Sequence, residues 1–338
     1  MKARQARLEL LYDNIDITTD LKPHLKSWTI TDNLSGQADD LSVVLEDKEQ
    51  IWMGDWMPDT GASLTAKVVR ENWAEEGDAD YLSFGKFEID EIEMESPPST
   101  VTINALSIPE STSLRGEEKS RAWEKTKLSI VSRDISHGAG LDLFYDTEDD
   151  PEFDRLEQAG ETDSAFLMRV CNDAGLCLKV SDAQIIIFDE QKYEDNEATL
   201  TIEKGVTQLK SCKGQISLNG VYRACKVEYH DANKGTTIRY EFVPDSPPKT
   251  KRVLIVNERV TSVREAERLA KKRLRKANCN GTTFTLSMMG DIRFVAGLTV
   301  NLKGFGKFDG KYIITQAVHG QQGNYETKLS LRKCLEGY

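Results

Sequence analysis

Apolar and polar residues alternate in short runs through the first hundred positions. Asp39-Asp40-Leu41-Ser42-Val43-Val44-Leu45 reads as a half-buried strand, and Leu8–Leu11 alternates more weakly. Ser63–Val69 and Phe84–Ile92 supply further strands. Ser96-Pro97-Pro98-Ser99 cannot continue a ladder and is read as a turn, after which Val101-Thr102-Ile103 resumes β structure. Short strands at this spacing predict a small antiparallel barrel or sandwich over residues 1–107.

The period then changes. Leu128, Val131 and Ile135 recur at i, i+3 and i+7, which predicts an amphipathic helix over Glu124–His137. Thr162 or Asp163 can cap a second helix with the face Phe166, Leu167, Val170, Cys171 and Ala174, ended by Gly175. Leu176–Val180 and Gln184–Phe188 read as strands, and the acid-rich stretch Asp146–Asp154 as a solvated loop. An α+β domain is therefore expected over 108–205. Further on, Tyr222–Tyr229 and Thr236–Val243 form an expected hairpin through Asn233-Lys234-Gly235, and Pro244–Pro248 breaks the pattern. Ser262-Val263-Arg264-Glu265 is a capping box opening a helix to about Ala277, with the face Val263, Ala266, Ala270, Leu274 and Ala277. Strands resume near Thr283 and run to Leu331.

Two distant segments share one pattern. Met53-Gly54-Asp55 is followed by Gly61 and Leu64; Met289-Gly290-Asp291 is followed by Gly297, Leu298 and Val300. Gly85-Lys86-Phe87 and Gly310-Lys311-Tyr312 come next, each opening a strand, a turn and a final strand. Two copies in the same order point to duplicated β domains. The expected fold class is mainly β with α+β: two related antiparallel β-barrels, an α+β domain between them, and a small helical insertion in the second barrel. The boundaries are 1–107, 108–205, 206–240 with 282–338, and 241–281 for the insertion.

Charge sharpens this division. Residues 1–107 are net −13, residues 108–205 net −12 and residues 206–338 net +13. Such asymmetry suggests complementary surfaces within an assembly. The second barrel without its insertion is net +7 by the boundaries above. The six cysteines (171, 177, 212, 225, 279, 334) and four histidines (24, 137, 230, 319) show no zinc spacing, so reduced thiols, no metal and no cofactor are expected. No apolar run approaches the ~20 residues of a membrane span, and the basic start Met1–Arg7 leads into no apolar core, so no secretory signal is expected.

At these same residues the sequence resembles the phage late-control D family of tail proteins. The resemblance is carried by Asp16-Ile17-Thr18-Thr19-Asp20, Thr31-Asp32, Asp39-Asp40-Leu41, Asp47, Trp52, and Trp56-Met57-Pro58 with Gly61. It continues in Gly85–Asp90, Pro97-Pro98-Ser99 and Glu161-Thr162-Asp163-Ser164-Ala165-Phe166-Leu167, followed by Gly175 and Lys179-Val180. Gly297 to Gly310, Tyr312, His319 and Tyr325 close it, so nearly the whole chain is covered. The resemblance implies a baseplate hub of a contractile tail or tail-derived particle such as a tailocin, akin to the hub-like part of type VI spike proteins. It implies a homotrimeric ring of pseudo-sixfold symmetry that joins the tail tube to a trimeric spike. Implied partners are the chain itself, the spike, the tube or tube-initiator protein and other baseplate proteins. No C-terminal spike segment is evident, so the spike is expected on a separate chain. The implied location is the virion or tail particle, assembled in the host cytoplasm.

Three other readings compete. A cell-wall hydrolase needs only two carboxylates, but 56 Asp/Glu make chance pairs inevitable, and His137, His230 and His319 have no nucleophile motif beside them. Gly304–Gly310 has the spacing GxGxxxG and is followed by a strand, so it reads as a turn rather than a phosphate loop. Catalytic, cofactor-binding and metal residues are therefore all expected to be none. A nucleic-acid binder could use Lys271, Lys272, Arg273, Arg275 and Lys276, but these also favour a helix C-terminus, and no specific nucleic acid is expected. A glycan-binding or cell-surface tail module could use Trp28, Trp52, Trp56, Trp73 or Trp123, of which Trp73, in a long loop, is the best candidate for exposure.

Overall fold

In the first β unit, β1 (Gln5–Tyr12) is followed by β2 (Ile15–Asp16), a single helical turn α1 (Thr18–Leu21) and β3 (Leu25–Asn33). Then come β4 (Asp40–Glu46), β5 (Ser63–Glu71), the long β6 (Ala79–Glu95) and β7 (Thr100–Leu106). Burial largely alternates along the longer strands, so that Leu8 and Leu10, Trp28 and Ile30, Leu41 and Val43, Leu64 and Ala66, Phe87 and Ile89, and Val101 and Ile103 meet in one cluster. The molecule is a computed structural model that describes residues 3–73, 75–109, 114–231 and 235–338.

The chain continues through β8 (Glu118–Lys127), α2 (Leu128–Gly138), β9 (Asp142–Asp146), β10 (Glu152–Thr162), α3 (Asp163–Ala174), β11 (Cys177–Ser181), β12 (Gln184–Phe188) and α4 (Glu190–Asp195). The expected helix over Glu124–His137 starts only at Leu128. Glu124 to Lys127 belong to β8, which is held in register against β10 with Glu124 opposite Arg155. The second helix forms as read: Thr162 Oγ1 accepts from the Ala165 amide at 3.3 Å, and Gly175 ends it with φ +71°. Phe166, Leu167, Val170 and Cys171 of α3 pack with Leu128, Val131 and Ile135 of α2 over the β11–β12 hairpin.

The last third holds β13 (Leu200–Glu203), β14 (Leu209–Ile216), β15 (Ala224–Asp231), β16 (Thr236–Phe242), β17 (Val253–Val256), α5 (Val263–Asn278), β18 (Thr282–Met289), β19 (Thr299–Lys303), β20 (Gly310–Gln322) and β21 (Asn324–Lys333). The insertion is larger than the sequence pattern suggests. The hairpin β15–β16, expected inside the second barrel, pairs instead with β17 in a separate three-stranded sheet. Helix α5 lays Ala266, Ala270 and Leu274 on that sheet against Cys225 and Val227. Alternation alone could not tell which sheet the hairpin joins. Ala277 is only half-buried and Val263 is exposed, because Asn278 takes the last inward position and bonds both the amide and the carbonyl of Tyr222. Ser262 caps α5 through the Glu265 amide, while Glu265 reaches back to Thr261 rather than to Ser262. The turn read at Asn233-Lys234 lies outside the described residues. β13, read as part of the α+β region, lies parallel to β19 in the second β unit.

The repeat is visible in the strand pairing. The neighbours run β3-β4-β7-β6-β5 in the first unit and β14-β18-β21-β20-β19 in the second. Leaving out β1 and β2 in the first unit and β13 in the second, and numbering the five remaining strands of each in chain order, both read 1-2-5-4-3. The Gly61 amide bonds to the Ile89 carbonyl and the Ile89 amide to the Ala62 carbonyl; Gly297, Ile314 and Leu298 repeat both bonds, at 2.8–2.9 Å throughout. Gly61 and Gly297 take φ of +85° and +90°, a region that favours glycine. The register irregularities also recur, at Leu25/Ser27 and Leu209/Ser211 on strand 1 and at Ile89/Glu91 and Ile314/Gln316 on strand 4. The two units join edge to edge where β3 pairs with β20, placing Trp28 opposite Gln321 and Asn33 opposite Gln316.

Candidate assembly surface

Buried charges tie the parts together. Lys179 of β11 donates to Asp32 at 2.5 Å and to the Asn33 carbonyl at 2.7 Å, and stands 3.0 Å from Asp39. Asp32 also accepts from the Ala296 amide of the second unit at 2.7 Å. Burial pushes the Asp39 carboxyl up to about 6, against the pull of Lys179. Arg70, nearly fully buried, pairs with Asp80 and reaches across to Asp291 at 3.2 Å. Arg332 of β21 pairs with Glu190 and Glu194 of α4, and Arg275 of α5 also meets Glu194 at 2.7 Å.

Part of the charge asymmetry is met within the chain. The basic face of α5 docks on the acidic middle third: Arg268 and Lys272 pair with Asp149, and Lys272 and Lys276 donate to the Ala174 and Asn172 carbonyls. Cations thus sit at the C-terminal end of α3, where free carbonyls attract them. Nor is Asp146–Asp154 simply solvated, since Asp150 caps α2 through the Ser129 amide and hydroxyl. With the insertion taken as 222–281, the remaining second unit (206–221 with 282–338) carries 9 Lys/Arg and 4 Asp/Glu, net +5.

The residues that could have carried chemistry stand apart. His137 and His230 are exposed, His24 lies edge-on to Trp52 and Trp56, and His319 is fully buried. Among the described residues, no group of three or more His, Cys, Asp and Glu is placed to hold a metal ion. Gly306–Phe308 is a single 3-10 turn leading into β20. Trp73 is half-buried beneath the Arg4 and Arg70 guanidiniums and against Tyr325. Trp56, beside a cleft of about 310 Å³, is the more exposed tryptophan at 47%.

His319 is held by hydrogen bonds inside the second β unit and lies edge-on to Phe84 of the first. Its Nε2–H donates to the Phe294 carbonyl at 2.9 Å, leaving Nδ1 to accept from the Tyr325 hydroxyl at 2.7 Å. Burial holds its pKa below the ordinary 6.5. As pH falls through about 6.5, the unfolded chain binds a proton there that the folded chain refuses, so stability is lost. Asp39 works oppositely: between about 6 and 4 the folded chain binds the extra proton and gains stability. Urea melts of His319→Gln and the parent should therefore show a stability gap that narrows from pH 7.5 to pH 5. A constant gap would contradict the neutral, buried imidazole.

Among the open strand edges, two lie at matching places of the repeat. β14 has a neighbour on one flank only. β6 is flanked by β5 along Ala79–Glu88, but beyond that point only β7 pairs with it, so the other flank of Glu91–Glu95 is open. Ile216 and Met94 lie on these edges, 54% and 60% exposed. Unpaired edges with exposed apolar side chains invite another strand.

This architecture has counterparts among solved structures. The 43 kDa tail protein of the Shewanella oneidensis prophage MuSo2 superposes with a TM-score of 0.73 at 14% identity, covering 97% of this chain and 98% of that one. The chain has the fold of phage tail proteins. The Escherichia coli type VI secretion component c3393 matches over 100% of this chain and 78% of its own, with a TM-score of 0.59 and 12% identity. In sequence, the chain is 30% identical over 171 residues to the probable baseplate hub protein of Escherichia phage P2. That stretch is 49% of this chain and 41% of the P2 protein, less than half of either. No family profile matches the chain. The resemblance to tail hub proteins read from the sequence holds. No helix among the described residues is long and apolar enough to cross a membrane.

Proposed function

We propose that the chain is a structural hub of a contractile tail or tail-derived particle, forming a homotrimeric ring that joins the tail tube to a trimeric spike. The observation that carries this reading is the repeat itself: two β units of one strand order, 1-2-5-4-3, joined side by side in one sheet. Three such chains present six similar units. One face of the ring can match a sixfold tube while the other matches a threefold spike. The job requires duplication and exposed edges rather than a catalytic cluster. The first unit, 1–107 at net −13, beside a second unit at net +5, favours alternation of the two around the ring. Mass measurement of the purified chain, alone and with its spike, should find three copies per complex. Assembly should slow as salt screens charges over roughly 10 Å at 0.1 M. A stable dimer or hexamer would contradict the reading.

A further inference from the structure

We infer that chains join by strand addition, the outer edge of β14 in one copy pairing antiparallel with the open edge of β6 in the next. The register would set Cys212 opposite Ser96 and Ile216 opposite Ile92. This inference rests on the trimeric reading above and specifies its contact.

The template lies inside the chain. Strand 1 of the first unit, β3, pairs with strand 4 of the second, β20, on the flank that β19 leaves free beyond Ile313. In the other half of the repeat, strand 1 is β14 and strand 4 is β6. β14 has an empty flank, and β5 leaves β6 free beyond Glu88. A ring in which all six junctions are alike must pair these two edges between copies.

The matched ladders transfer the register. Trp28 faces Val43 on β4 as Cys212 faces Leu286 on β18, so Trp28 corresponds to Cys212. The shared irregularities at Leu25/Ser27 and Leu209/Ser211 fix the same alignment. On strand 4, the common Ile89 and Ile314 bonds and the irregularities after them align Glu91 with Gln316 and Ser96 with Gln321. The internal pair Trp28 with Gln321 therefore becomes Cys212 with Ser96, and Asp32 with Ala317 becomes Ile216 with Ile92.

The side chains fit that register and not one shifted by a single residue, which would invert every face. On one face, Ile216, Gly214 and Cys212 meet Ile92, Met94 and Ser96. This covers the two exposed apolar residues, and Met94 falls beside Gly214, where an added Cβ would stand 2.6 Å from the Phe308 ring. On the other face, Lys213, Gln215 and Ser217 meet Glu95, Glu93 and Glu91. Among the described residues, neither Lys213 nor those three glutamates makes an ion pair within the chain.

A cross-link tests the register directly. Cys212 is the exposed cysteine of the chain. In the full chain carrying Ser96→Cys, diamide should join Cys212 of each copy to Cys at 96 of the next and yield a covalent trimer on a non-reducing gel. The S96C/C212S variant should remain a single chain. Asp90→Cys should not cross-link, since six residues move the thiol about 20 Å along the strand. Independently, Lys213→Glu should weaken association by about 5-fold per junction, and adding Glu95→Lys should restore it. Three copies by native mass without an S96C cross-link, or equal cross-linking at 90 and 96, would overturn the register and leave the trimer standing. A single copy at every concentration, with and without the spike, would overturn both.

Discussion

The Lys179→Met variant is expected to lose about 3–5 kcal/mol of folding stability, read as a lowered urea midpoint with an unchanged slope. Lys179 is the only cation placed by the described structure between Asp32 and Asp39, both buried. Removing it leaves two carboxylates without their counter-charge where water cannot replace it. The loss should reach all three regions the node connects. Asp32 holds the Ala296 amide of the second β unit, and the Asp39 amide donates to Ser107, whose hydroxyl donates to the Val180 carbonyl. Adding Asp39→Asn to the variant should recover part of the loss, because it removes one stranded charge. A cost below about 1 kcal/mol would mean that the node is solvated and that the α+β region is loosely attached.

Trp28→Ala should cost about 3–5 kcal/mol, the range for truncating a large buried aromatic. Trp28 heads the fully buried side chains by volume, lies 5.7 Å from the Tyr325 ring, and donates from Nε1 to Gln321 at 3.2 Å. Its backbone forms the β3–β20 junction, where Gly320 approaches so closely that an added Cβ would stand 3.1 Å from the Trp28 carbonyl. The variant should therefore loosen the seam between the units as well as the first core. Hydrogen exchange should show weakened protection along β20 from Gln316 to Gln321. Loss of protection confined to β3 and β4 would show that the seam does not depend on this ring.

Much of this architecture was legible in the sequence, because the positions that carry it are backbone requirements. Gly61 and Gly297 occupy a left-handed conformation, so the repeat left a mark that survives divergence of the side chains around it. The caps at Thr162 and Ser262 were readable for the same reason. What was not legible depends on pairing at a distance. Nothing in the alternation of Tyr222–Val243 says that β17, rather than β14, is its neighbour, so the insertion appeared purely helical. Glu124–Lys127 has a helical pattern nearby, and only β10 holds it extended. The basic run on α5 reads as available to an outside anion because Asp149 and the carbonyl end of α3 lie about a hundred residues away in sequence. The sequence leaves Trp73 exposed in its loop because Arg4 and Tyr325, which cover its ring together with the nearby Arg70, are distant in sequence.

The most direct test of the hub reading is a cryo-electron microscopy map of the chain assembled with its trimeric spike, at a resolution that separates strands. The account predicts three copies whose acidic first units and basic second units alternate, giving six units around one ring. A complex of two or six copies, or three copies with first unit against first unit, would contradict it.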